Sequence, residues 1–177
     1  MSDLKPSSSP AGADVRARLV RAFSQIMLSR PKGRPAIHEV VEQAGVARST
    51  LYEHFGGRDD LLLEAMRRPL GTLAEAGAGM PDEVRLADLL VHLRGRRADT
   101  VTLLNGPLKS RILRALSNEI RVHDPGLPAA AALQVSGVLI ELVRLWINGD
   151  TPAAAPVMAG QLARAAVAQR AAIGNGI

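Results

Sequence analysis

The sequence QAGVARSTLYEHF occupies residues 43–55 and carries the strongest pattern of the chain. Three apolar residues just before this stretch and one inside it repeat at the spacing of one helical face: Ile37, Val40, Val41 and Ala44. Gly45 follows and can take the positive φ that ends a helix. Leu51 and Phe55 then form an apolar i, i+4 pair on a second short helix. Two short amphipathic helices joined by a glycine-containing turn are typical of a helix-turn-helix.

Helices are also predicted on both sides of this pair. Before it, residues 14–29 carry one apolar face, formed by Val15, Leu19, Ala22, Phe23, Ile26 and Met27. After it, a further helix has Asp59 and Asp60 in its first turn, where acidic residues are favoured. The rest of the chain predicts five helices, over residues 82–94, 97–104, 107–121, 129–148 and 153–173. We expect the last of these to have Thr151 as its N-cap and Pro152 at its first position.

The composition is that of a folded protein, and no residue cluster suggests catalysis. Apolar residues make up 47% of the chain and charged residues 22%, which is a globular balance. The chain contains no cysteine, so it has neither disulfides nor thiolate metal ligands. Acidic residues in the second part are sparse and scattered. We therefore expect no catalytic residues, no metal site and no cofactor.

Charge and hydropathy indicate where the protein works. The net charge is +5, and residues 14–68 hold ten Lys and Arg against seven Asp and Glu, an excess that attracts phosphate backbones. The longest uncharged run, residues 125–140, contains two prolines and two glycines and is too short and too broken to span a bilayer. The first twelve residues lack the apolar core of a signal peptide. We expect a cytoplasmic protein with no membrane segment.

The ordered motifs of the first third resemble the tetracycline-repressor (TetR) family of transcriptional regulators. An A-G-V turn stands at residues 44–46, a T-L-Y-E-H-F recognition segment at residues 50–55, and an R-D-D-L-L segment at residues 58–62. The resemblance covers residues 14–66 and is specific as an ordered set. It departs from the family at Ala47, where a serine often caps the recognition helix.

This resemblance, together with the helical pattern, predicts an all-α fold of about nine helices. We expect a flexible tail over residues 1–12. A three-helix helix-turn-helix DNA-binding domain is expected within residues 13–66, and a helical ligand-sensing and dimerisation domain over residues 67–177. The resemblance implies a sequence-specific transcriptional regulator, a repressor released by a small-molecule effector, that binds a palindromic operator in double-stranded DNA as a homodimer.

Eight residues are candidates for DNA contact: His38, Arg48, Ser49, Thr50, Tyr52, Glu53, His54 and Arg58. Because Leu51 and Phe55 point inward, Arg48, Ser49 and Glu53 point outward, and their chemistry suits base edges in the major groove. Glu53 has the alternative of a solvated residue or one that repels wrong sites. The resemblance implies phosphate contacts for Thr50, Tyr52, His54 and Arg58, and an occasional base contact for His38.

The second part of the chain contains the candidate ligand and dimer residues. The ligand pocket is expected to include Leu104, Leu108, Ile112, Leu139 and Trp146, although Trp146 suits a core or interface position better than a ligand contact. Residues 129–148 are apolar nearly all round and need cover on both sides, which a partner chain can provide. The resemblance implies pairing of the last two helices, with Leu142, Leu145, Met158 and Leu162 at the interface. The alternative function is a helical interaction module of the same fold that does not bind DNA.

Overall fold

The computed structural model describes residues 10–30 and 33–174, which form ten α-helices and no β-strand. The chain divides into two compact units, with the boundary between Ala65 and Met66. The first, which we call the head, contains α1 (Pro10–Ser29), α2 (Ile37–Ala44), α3 (Arg48–His54) and α4 (Arg58–Ala65). The second, the body, contains α5 (Arg67–Gly77), α6 (Glu83–Gly95), α7 (Arg97–Asn105), α8 (Lys109–His123), α9 (Ala129–Asn148) and α10 (Ala155–Gly174). The predicted all-α fold is confirmed.

The head is held together by the apolar face of α1. Leu19 and Phe23 are fully buried there, and α1 packs against α2 and α4. Leu51 of α3 and Leu61 of α4 complete the core with no exposed surface of their own. Burying each such side chain contributes about 1.5–3 kcal/mol. The short helices of the head therefore depend on α1 for their stability.

The turn between α2 and α3 has the geometry that the sequence predicts. Gly45 takes a left-handed conformation, with φ 63° and ψ 41°. Its N–H donates to the Glu42 carbonyl at 3.1 Å, and the Val46 N–H donates to the Val41 carbonyl at 3.1 Å. These two bonds form a Schellman motif, which satisfies two carbonyls at the end of α2 and turns the chain toward α3. Ala47 provides no side-chain cap for α3, as expected from its lack of a hydroxyl.

The body is organised around α9. This helix packs against α8 and α10 and also contacts α5, α6 and α7. Its buried side includes Val135, Leu139, Val143 and Trp146. The Trp146 indole Nε1 donates to the Ala153 carbonyl at 2.9 Å, so the polar atom of this large core residue has a partner.

The structure has one helix more than the nine predicted, namely α5. Its Pro69 is the third residue of the helix, where a helical residue has no intrahelical N–H bond to make. Leu70 and Leu73 of this helix are buried against the rest of the body. A proline in the first turn of α5 is therefore compatible with an uninterrupted helix.

The first and last helices begin at different residues from those predicted. Helix α1 begins at Pro10, so residues 10–12 of the expected tail are helical, while residues 1–9 lie outside the described residues. Helix α10 begins at Ala155, and the expected cap at Thr151 with Pro152 is wrong. A helix starting at Pro152 would need an N–H from residue 156, and Pro156 has none. A start at Ala155 places Pro156 in the first turn, where no N–H is needed.

One helix of the described chain is long and apolar enough to cross a membrane, namely α9, with a mean hydropathy of 1.6. Half of it is buried inside the body. Its acidic residue Glu141 pairs with Lys109 and Arg144. These are the features of the central helix of a folded core, which is apolar because it is surrounded by protein.

Candidate nucleic-acid interface

The outer face of α3 carries the predicted base-reading residues. Leu51 is fully buried and Phe55, just after the helix, is 3% exposed, so these two fix how α3 is rotated. Arg48, Ser49, Tyr52 and Glu53 are exposed as a result. In a helix, residues four apart share a face, which pairs Arg48 with Tyr52 and Ser49 with Glu53. The structure thus places these four side chains on solvent-facing surface.

Arg48 and Tyr52 are in contact with each other. An Arg48 guanidinium nitrogen donates to the Tyr52 hydroxyl at 3.3 Å, and the guanidinium carbon lies 5.7 Å from the centre of the ring. Tyr52 is 46% exposed, which excludes a role as a packing residue of the core. This contact limits the conformations of the Arg48 side chain. It does not use all five N–H donors of the guanidinium, so donors remain for a second acceptor.

The other predicted contact residues surround this face. Thr50 and His54 are partly exposed on α3, and Arg58 is exposed at the first residue of α4. His38 is exposed on the first turn of α2. All eight candidate residues therefore have side-chain surface that can reach a ligand, and their contacts with DNA stay a prediction.

Ion pairing separates the basic residues of the head into two groups. Four arginines pair with carboxylates within the head: Arg16 with Glu64, Arg18 with Asp14, Arg30 with Glu39 and Arg34 with Asp59. Among residues 10–30 and 33–65, Arg21, Arg48 and Arg58 make no ion pair and are exposed. Two of these three are predicted DNA contacts. Their charge is thus available to an external anion.

The excess charge assigned to the first third belongs partly to the body. Arg67 and Arg68 lie in α5, and residues 14–65 hold eight Lys and Arg against seven Asp and Glu. The head is therefore nearly neutral overall. Arg48 on α3 and Arg58 on α4 keep their charges because the ion pairs of the head involve other arginines, and a count along the sequence does not reveal which residues are paired.

The start of α2 is fixed by Glu39. Its carboxylate accepts from the Ala36 backbone N–H at 2.7 Å and pairs with Arg30. The hydrogen bond from Arg30, followed by that from Ala36, lowers the pKa of this carboxyl group. Glu39 thus supplies the capping contact for a helix whose own N-cap, Ala36, has no side-chain acceptor.

Two residues of the head that organise this site are absent from the sequence prediction. Arg16 and Arg18 of α1 hydrogen-bond to backbone carbonyls at the ends of α3 and α2. Their place off the apolar face of α1 reads as ordinary surface, because an arginine that caps a distant helix leaves no local pattern.

The body contains an apolar cavity of about 40 Å³. Its lining comes from α5 to α9 and includes two of the predicted pocket residues, Leu104 and Ile112. The other three, Leu108, Leu139 and Trp146, are buried but do not line it. The Arg94 guanidinium lies 4.4 Å from the Trp146 ring, which places that ring in the core beside α6.

The predicted dimer residues fall into two sets. Leu142 and Leu145 of α9 are partly exposed, so a partner can reach them. Met158 and Leu162 of α10 are 0% exposed within a single chain, so their side chains belong to the core and we remove them from the interface. The alanine-rich sequence of α10 gives little indication of which side faces inward. Larger apolar residues with exposed surface on α9 and α10 are Leu133, Val157 and Val167.

Helices, turn geometry and exposed face together define an all-α protein with an N-terminal helix-turn-helix. Residues 36–65 match the family described as bacterial regulatory proteins, tetR family. None of the curated proteins matches the chain in sequence.

Two solved structures share the fold over nearly the whole chain. A TetR transcriptional regulator from Rhodococcus sp. RHA1 is 18% identical with a TM-score of 0.60, covering 90% of this chain and 97% of its own. The TetR family repressor AlkX from Dietzia sp. strain DQ12-45-1b is 18% identical with a TM-score of 0.55, covering 94% and 98%.

Residues 36–65 thus match the TetR family of bacterial regulatory proteins, and the chain shares its fold with two solved structures of TetR regulators. The predicted resemblance to this family is confirmed over residues 36–65.

Proposed function

We propose that the chain is a sequence-specific DNA-binding regulator whose α3 enters the major groove. The observation that carries the proposal is the exposure of Arg48 and Arg58 without an ion-pair partner among the described residues, next to four arginines that are neutralised inside the head. An exposed, unpaired guanidinium keeps its charge for phosphate or for guanine.

The residues of α3 divide into two roles in this proposal. Arg48, Ser49 and Glu53 read base edges, with Arg48 suited to guanine O6 and N7 and Glu53 to cytosine N4. Thr50, Tyr52, His54 and Arg58 contact the sugar–phosphate backbone, which fixes the register of the head on the duplex. His38 adds a contact from α2.

The proposed DNA contact is tested by the salt dependence of binding. Wild-type protein should bind duplex DNA with a log–log salt slope of several units, because each neutralised phosphate contributes about 0.9. Arg58→Ala should weaken binding to all duplexes alike and reduce the slope. The matched control is Arg114→Ala, which removes an exposed arginine from α8 in the body. If Arg58→Ala and Arg114→Ala behave identically, Arg58 does not touch the backbone.

The alternative is a helical interaction module that has lost DNA binding. It shares every feature of the fold, so the same titration separates the two functions. A wild-type protein that binds no duplex at low salt, where electrostatic contacts are strongest, supports the interaction module. The unpaired Arg48 and Arg58 favour DNA.

We further propose that the protein acts as a homodimer through α9 and α10. At 100° per residue, the exposed and partly exposed residues of α9 form one stripe that includes Leu133, Gly137 and Leu145. Leu142 lies at the edge of this stripe. Val157 and Val167 are the large apolar residues exposed on α10. Two linked heads would read a palindromic operator, which gives the specificity that one head lacks.

The proposed effector is a small, uncharged apolar molecule. The regulator would be a repressor that leaves the DNA when this molecule binds. Eleven of the twelve residues around the cavity are apolar, and the twelfth, Thr100, donates its hydroxyl to backbone carbonyls within the body. No group there would pay for the desolvation of a charged ligand. The structurally similar AlkX is a repressor implicated in the biodegradation of n-alkanes, which is in keeping with an apolar effector.

The size of the cavity sets the test for the effector. A volume of about 40 Å³ is far below the roughly 300 Å³ of ordinary ligand pockets. Xenon and methane, among the smallest apolar probes, should therefore raise the melting temperature of the body more than benzene or longer alkanes, and Ile112→Phe should remove the effect by filling the space. Equal stabilisation by a short-chain carboxylate would contradict the apolar assignment.

A cytoplasmic location follows from the proposed binding to DNA.

A further inference from the structure

Two arginines of α1 contact the ends of both helices of the helix-turn-helix. Arg16 and Arg18 are two residues apart, which separates their side chains by roughly 200° around the helix. One therefore reaches toward α3 and α4, and the other toward α2. Between them lies the apolar face of α1 that packs on the same helices.

Arg18 completes the end of α2. The Schellman motif already satisfies the carbonyls of Val41 and Glu42. Arg18 donates from Nε to the Ala44 carbonyl at 3.2 Å and from Nη2 to the same oxygen at 2.8 Å. A further bond at 3.0 Å joins Nη2 to the Gly45 carbonyl. The guanidinium thus holds the backbone of the turn itself, at the residue whose positive φ redirects the chain.

Arg16 holds the opposite end of the motif. Its Nη1 donates to the His54 carbonyl at 3.1 Å, at the last residue of α3. Its Nη2 donates to the Glu64 carboxylate at 2.7 Å, on α4. The guanidinium carbon lies 4.4 Å from the centre of the Phe55 ring. One side chain therefore joins α1, α3 and α4, and it stacks on the aromatic residue that anchors the recognition segment.

We propose that Arg16 and Arg18 are positioning residues that set the angle at which α3 is presented to DNA, a proposal that rests on the DNA-binding function. Helix α3 has only seven residues and no side-chain N-cap, so it is far too short to be stable or oriented by itself. Its direction comes from what holds its two ends. The turn before it is held by Arg18 and its last carbonyl by Arg16.

Loss of these contacts should affect the reading of base sequence more than the general attraction to DNA. Side chains that read base edges must be held within about 0.5 Å of the productive geometry, whereas phosphate contacts tolerate larger shifts. Loosening one end of α3 should therefore reduce discrimination between sequences more than it reduces general attraction to DNA. A residue that only stabilises the head would instead lower the melting temperature without changing the specificity of the folded protein.

The experiment compares Arg16→Met and Arg16→Lys with Arg21→Met, which removes an exposed and unpaired arginine from the same helix. The full chain is used, with affinities for a selected operator and for a random duplex measured by fluorescence anisotropy over a range of salt. Arg16→Met should reduce the ratio of the two affinities roughly ten-fold, with an unchanged salt slope. Arg16→Lys should recover part of it, and Arg21→Met should leave it unchanged.

Several outcomes would overturn the proposal. A folded Arg16→Met protein with the wild-type ratio would show that Arg16 only stabilises the head. Equal weakening on both duplexes, with a shallower salt slope, would show that Arg16 touches phosphate. Should Arg16→Met fail to fold, Glu64→Gln replaces it, since the glutamine keeps an acceptor for Arg16 and removes the charge. A wild-type ratio of the two affinities in both Glu64→Gln and Arg16→Lys would then contradict the proposal. Wild-type protein that binds neither duplex would instead contradict the proposed function itself.

Discussion

The same substitution in one helix should have opposite effects at two positions of α5. Gly71 has open space around it, and a Cβ atom added there meets no atom within 4 Å. Gly77 is buried, and a Cβ added there would lie 2.5 Å from Ile120 Cδ1 and 2.8 Å from Ile120 Cγ1. Leu139 Cδ1 is 3.4 Å away on another side. Since Ile120 is itself fully buried, it has little room to move aside.

The expected magnitudes follow from these distances. Alanine is favoured over glycine inside a helix by about 1 kcal/mol, so Gly71→Ala should stabilise the body by up to that amount. At Gly77 the gain from helix propensity is smaller, because the residue ends the helix. An overpacking cost of about 1–3 kcal/mol opposes it. Gly77→Ala should therefore be destabilising, and the two variants should differ by about 2 kcal/mol, equivalent to roughly 10 °C in melting temperature.

Fluorescence of Trp146 provides the assay for this pair. It is the one tryptophan of the chain and is buried in α9, so its emission reports unfolding of the body and is insensitive to the head. Urea titrations of both variants and wild type should give equal m-values and shifted midpoints. A Gly77→Ala protein as stable as Gly71→Ala would refute the close approach of α5 to α8 and α9 that the structure shows.

The remaining predictions concern readout, pH and assembly. Arg48→Ala should lose about 1–3 kcal/mol for the preferred base at one position of each half-site, and identical selected sequences for mutant and wild type would place Arg48 off the bases. The Arg144 guanidinium, with a second contribution from a lysine, lowers the pKa of Glu141 to about 2. This pair therefore stabilises the body above pH 4.5 and is lost as the pH falls toward 2, so Glu141→Gln should flatten that part of the stability curve, and an unchanged curve would exclude the pair as its cause. Leu145→Arg should give monomers by light scattering while Val122→Arg, on exposed α8 surface, should not; a dimeric Leu145→Arg protein would move the interface elsewhere.

Local patterns predicted most of the helices because their signals lie within a few residues. Gly45 and the apolar pair Leu51 and Phe55 were sufficient to place the turn and the inward side of α3. The error at the start of α10 arose at a proline, because the physical effect of a proline depends on its position within the helix. Pro69 and Pro156 both lie in a first turn, and only the position of the helix start distinguishes this from an interruption.

Contacts between distant residues were beyond a reading of the sequence. Nothing near Arg16 indicates that it reaches His54 and Glu64, and nothing near Met158 indicates that it is fully covered by its own chain. Charge counting failed for the same reason, since neutralisation depends on which carboxylate lies beside which arginine. Such pairings are set by how helices pack, and the sequence pattern specifies only the face on which each residue lies.

The central claim is that α3 reads a specific sequence, and selection from a pool of random duplexes tests it most directly. After selection at physiological salt, wild-type protein should enrich a palindrome whose half-sites are about 34–36 Å apart, as for two linked helix-turn-helix heads. Fluorescence anisotropy should then give an affinity at least about 10³-fold higher for that palindrome than for a random duplex. A pool without any enriched sequence, together with equal affinity for all duplexes, would contradict the account.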